Sequence, residues 1–114
     1  AAIGTLREFG IVADRRRGFP GVWGREGKIA SIGIYVKNWV TRHGLALNVD
    51  VNPAHFGMIA PCGLPVKAVS MSECLARPIA VGEVESALAR NLARRLGWRL
   101  QRRGLADLEE RVGV

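Results

Sequence analysis

Apolar residues Ile3, Leu6 and Phe9 recur near helical spacing, and Gly10 follows them as a stop signal, so the chain opens on the end of a helix. Only about two turns precede that stop, which is short for an opening helix, and no capping residue stands before them. The opening therefore reads as a helix cut short, whose apolar face needs a partner surface. Beyond residues 11–13, the segment Asp14-Arg-Arg-Arg-Gly-Phe-Pro20 is expected to be a charged loop. Gly21-Val-Trp23 then leads through a turn at Arg25-Glu-Gly27 into a hairpin. Residues 28–36 place Ala30, Ile32, Ile34 and Val36 on one face of a strand, and Gly33 leaves room there for a close backbone or ligand. The clearest strand is 45–51, where Leu45, Leu47, Val49 and Val51 alternate with Ala46, Asn48 and Asp50 up to a turn at Asn52-Pro53.

A short helical turn is expected between residues 53 and 60. Pro61-Cys62-Gly63-Leu64-Pro65 must be irregular, because two prolines bracket a glycine. From Gly82 to Leu96, Val84, Leu88, Leu92 and Leu96 recur every four positions opposite Glu85, Arg90 and Arg94, with Gly97 beyond, as in an amphipathic helix packed on a sheet. Residues 98–100 suit a short strand and 105–112 a last helix. The fold class is α/β, of the α+β type. At 114 residues and 48% hydrophobic content, residues 1–114 fit one small domain or a piece of one.

No run of eighteen apolar residues occurs and the N-terminus lacks the order of a secretory signal, so an intracellular, cytoplasmic protein without a membrane partner is expected. The formal charge of +7, with 17 Lys plus Arg against 10 Asp plus Glu, implies acidic partners. Nucleic acid and acidic proteins answer that field equally well. No zinc-finger, RRM or KH signature supports nucleic acid, and aromatic residues at 6% are not interleaved with the basic ones.

Two cysteines twelve positions apart, without CxxC pairs or clustered histidines, exclude a structural zinc site. Reduced thiols are expected rather than a disulfide. Cys62, in a stiff Pro-bounded loop before a glycine, can present its sulfur and neighbouring N–H groups to a substrate, or be a buried structural thiol. Cys74 has no such loop and suits the structural role better. Lys28 opens a strand, where a lysine is ordinarily a solvated edge residue; near Cys62 its ammonium would favour the thiolate. His43 and His55 could pair with Cys62 only through tertiary contact. Gly44-Leu45-Ala46 reads either as an ordinary strand start or as the lining of an alkyl pocket.

Four blocks stand in order: Gly21-Val-Trp23, Lys28-Ile-Ala-Ser-Ile-Gly33, Trp39-Val-Thr-Arg-His-Gly-Leu-Ala-Leu-Asn48 and Pro61-Cys-Gly63. Together they resemble the lipoyl (octanoyl) transferase family. The resemblance implies a mixed sheet backed by helices, as in biotin protein ligases and lipoate ligases. It also implies an acyltransferase in which Cys62 attacks the thioester of octanoyl-acyl carrier protein and Lys28 lowers the thiol pKa and shuttles its proton. Ser31, Ile32 and Gly33, with Gly44, Leu45 and Ala46, correspond to the acyl-binding segments.

The implied acceptors are lysines on lipoyl domains of 2-oxoacid dehydrogenase complexes and on the glycine cleavage H protein, and no cofactor or metal is required. Family members carry an upstream Arg-Gly-Gly and His-Gly-Pro-Gly region that this sequence lacks. The chain thus corresponds to the C-terminal portion of the domain, with the N-terminal half absent. The nearest rival is a lipoate-protein ligase working through an acyl-adenylate with ATP and magnesium, and the more distant one a basic nucleic-acid-binding module.

Overall fold

The computed structural model describes residues 1–57 and 66–112. Helix α1 spans Ala2–Glu8 and ends where Gly10 takes a positive φ of 82°. The partner surface that its apolar face needs is supplied within the chain. Ala2, Thr5 and Leu6 are buried, and the Asn91 side chain donates to Thr5 Oγ1 at 3.1 Å from the long helix α4 (Val81–Leu96).

The segment expected to be a charged loop is a hairpin. Strand β1 (Ala13–Arg16) and strand β2 (Phe19–Gly24) pair antiparallel through Ala13↔Gly24, Asp14↔Trp23 and Arg16↔Phe19. Gly18, at φ 81°, closes the turn. Charged side chains masked this strand in the sequence, yet they suit it physically: β1 is an edge strand, where arginines stay solvated and discourage further pairing.

Strand β3 (Lys28–Lys37) follows the expected turn and pairs with β2 on one side and β4 (Val40–Leu47) on the other, giving an antiparallel sheet in the order β1-β2-β3-β4. The β3–β4 loop is Asn38-Trp39, both at positive φ (51° and 62°), which matches the right-handed twist of the two strands. The strand expected at 45–51 thus lies earlier in the chain. Asn48 N–H still donates to Ile29 O, but at Lys28 the edge of β3 is taken by another segment. Lys28 N–H donates to Lys67 O at 2.8 Å and Val69 N–H to Lys28 O at 2.9 Å, an isolated parallel bridge beside a sheet whose strands all pair antiparallel. β4 has no partner edge left to follow.

Helix α2 (Pro53–Gly57) and helix α5 (Leu105–Val112) fall where the pattern placed them, and residues 98–100 form no strand. Helix α3 (Met71–Leu75) was not anticipated. It carries a reciprocal capping box, with Ser70 Oγ accepting from Glu73 N–H and the Glu73 carboxylate from Ser70 N–H. The core joins Leu6, Val22, Ile29, Ala30, Val69, Met71 and Val84, so it lies between the helices and the base of β2 and β3.

Candidate functional site

The base of β3 decides which side chains meet. Val22 pairs with Ala30 and Trp23 with Lys28, one step on β2 against two on β3. Ile29 is the extra residue of a β-bulge. Ile29 and Ala30 are therefore both fully buried. Neighbours on β2 point to opposite faces, so their partners do too, and Lys28 is turned away from the helices.

Gly21 is what makes room for it. A Cβ there would stand 2.5 Å from Lys28 Cε and 2.6 Å from Ala30 O, and the φ of 123° is itself one that side chains rarely adopt. Trp23, on the same outer face, has Arg16 over its ring at 4.5 Å and Phe19 edge-on at 6.0 Å.

Beyond the bulge ordinary alternation resumes. Ser31, Gly33 and Tyr35 share the outer face with Lys28, opposite Ala46, Gly44 and Arg42. Ser31, Gly33, Gly44 and Ala46 form a strip almost free of side chains, and a Cβ at either glycine would meet nothing within 4 Å. The strip ends at Tyr35, whose ring lies 5.3 Å from the Arg42 guanidinium.

Ile32 and Leu45 point to the other face. With Ala2, Ile3, Val22 and Leu92 they line a shallow depression of about 390 Å³ between sheet and helices. The six expected substrate-binding residues are thus divided, four with Lys28 and two behind it.

Cys62 and its Pro61-Cys62-Gly63 block lie outside the described residues. The chain that follows is anchored to Lys28 itself by the Lys67 and Val69 bonds. The Asn48 side chain adds a third tie, donating to Val69 O at 3.1 Å. Asn48 is a residue that sequence reasoning left without a role, and nothing in the sequence names its partner. Connectivity keeps Cys62 within five residues of Lys67, a reach of at most about 18 Å.

Cys74 is half-buried in α3, and burial, followed by the charges of Glu73 and Glu26, pushes its thiol pKa up. That environment suits an inert thiol. His43, at φ 65° in β4, and His55, in α2, are both exposed.

Among the described residues no group of three or more His, Cys, Asp or Glu could hold a metal ion, and no helix is long and apolar enough to cross a membrane. A single ion pair, Arg90 to Glu8 at 3.3 Å, occurs among them.

The family model for the lipoyl protein ligase A/B catalytic domain matches residues 1–93. The chain belongs to this family. The lipoyl protein ligase A/B match takes in Lys28, the strip and Cys62 alike. An octanoyltransferase of Desulfovibrio desulfuricans is 52% identical over 80 residues, covering 69% of this chain and 34% of that protein. One from Rhodospirillum rubrum is 43% identical over 94 residues, 78% of this chain and 44% of the relative. Another, from Syntrophobacter fumaroxidans, is 41% identical over 108 residues, 94% of this chain and 47% of the relative. This lipoyl protein ligase A/B chain therefore spans between about a third and a half of the length of these three relatives.

Proposed function

We propose that this chain is the C-terminal portion of an octanoyltransferase catalytic domain. It would act in the cytoplasm, moving an octanoyl group from octanoyl-acyl carrier protein to a lysine of a lipoyl domain or glycine cleavage H protein, the first step of protein lipoylation. The observation that carries the reading is the bulge at Ile29, which puts Lys28 on the same face as the bare strip, while Lys28's own backbone anchors the segment following Cys62. Relatives named octanoyltransferase support it.

In this reading Cys62 thiolate attacks the thioester carbonyl carbon, the C–S bond to the carrier breaks, and the Lys28 ammonium gives a proton to the departing thiolate. The acceptor lysine's neutral amine then attacks the acyl-enzyme. An amide forms, the amine loses its proton to Lys28, and Cys62 is released. The acyl chain lies along Ser31, Gly33, Gly44 and Ala46, on the Lys28 face; Ile32 and Leu45 support that strip from behind.

The test is mass spectrometry after exposure to octanoyl-acyl carrier protein without ATP, in the longest natural chain containing this sequence. An octanoyl thioester on Cys62 is expected, lost in Cys62→Ser and kept in Cys74→Ser. An adduct that survives Cys62→Ser refutes the assignment, and transfer only with ATP and magnesium favours an acyl-adenylate ligase instead.

A further inference from the structure

We propose that Tyr35, flanked by Arg42, is the stop that sets acyl chain length, an inference that rests on the reading of the strip as the acyl site. From Ser31 to Gly33 on β3, and from Ala46 to Gly44 on β4, no side chain is larger than a hydroxymethyl group. The next pair on that face is Tyr35↔Arg42, the first bulk the strip meets on moving away from Lys28.

Direction follows from the chemistry. The reacting carbonyl belongs at the Lys28 end, so the chain's methyl end runs toward Tyr35. At about 3.3 Å per strand residue, Ser31 and Tyr35 stand about 13 Å apart. An extended eight-carbon chain spans roughly 9 Å from carbonyl to methyl, with C–C bonds near 1.5 Å seen in projection. Such a chain, starting level with Ser31, ends short of the ring. A twelve-carbon chain, at roughly 14 Å on the same bond lengths, runs into it.

Tyr35 is 48% accessible, so the Arg42 guanidinium 5.3 Å from its centroid biases the ring toward this position without locking it, as a cation over an exposed aromatic face does. Arg42 acts through Tyr35 and is a positioning residue.

The test measures competition among hexanoyl-, octanoyl- and dodecanoyl-acyl carrier protein in the longest natural chain containing this sequence. Tyr35→Ala should raise the dodecanoyl-to-octanoyl ratio of kcat/KM about tenfold or more, as expected when a wall against several methylenes is removed. Gly33→Val, which fills the strip midway, should move the preference the other way, toward hexanoyl. Loss of folding cannot produce opposite shifts.

An unchanged length profile in Tyr35→Ala, with octanoyl transfer retained, overturns the proposal. Should Tyr35→Ala lose all transfer, Tyr35→Leu takes its place, and equal loss for every length in both variants also overturns it. If the unsubstituted protein transfers no octanoyl group, the acyl-site reading itself has failed.

Discussion

Gly21 shows how much one missing side chain can govern. Its hydrogen leaves the space that Lys28 Cε occupies, and its φ of 123° belongs to glycine. Gly21→Ala is expected to cost about 1–3 kcal/mol, the range for overpacking a filled site. A urea unfolding midpoint that did not move would show that Lys28 rests elsewhere. The same substitution should lower Cys62 acylation more than stability explains, since it displaces the ammonium rather than a core group. The candidate residues Lys28, Ser31, Gly33, Gly44 and Ala46 were legible from the four blocks. Their facing was not, because strict alternation from Ala30 back to Lys28 puts the lysine among the helices, and a bulge leaves no mark on residue type.

Elements with a strong hydrophobic period or a glycine stop, namely α1, α4, α5 and the turn into β3, stand where the pattern put them. α3 escaped notice because five residues are too few for a period, although Ser70-x-x-Glu73 carried its signature. Ser70→Ala removes the cap and should cost about 1 kcal/mol. Native-state hydrogen exchange should show that loss at the start of α3 and in the adjoining segment, where Val69 N–H bonds Lys28 O. No change in protection there would mean that the Lys67–Val69 bridge does not depend on the helix. β1 was hidden by its arginines, and β4 ended early because Lys28 on β3 was already bonded to Lys67 and Val69. Both are matters of who sits beside a strand, which its own residues do not state.

Over the whole molecule the excess of seven positive charges is carried with one ion pair among the described residues, and Arg16, Lys28 and Arg42 share the strip's face. In the proposed reaction, transfer from an acidic carrier protein should therefore weaken as salt rises, since the field is screened over about 8 Å at physiological ionic strength. A kcat/KM independent of salt would contradict that steering. The other face holds exposed Ile34 and Val36, 62% and 55% accessible, beyond the reach of the chain's own helices. Helix periods, turn residues, net charge and the blocks that carry the family resemblance were set by the sequence, because each depends on residues close along the chain. The bulge, the parallel bridge at Lys28 and the division of the six expected substrate-binding residues between two faces were decided only in the tertiary structure. They depend on which distant segment claims each backbone N–H and C=O, and a strand's hydrogen-bonding groups are the same whatever its sequence.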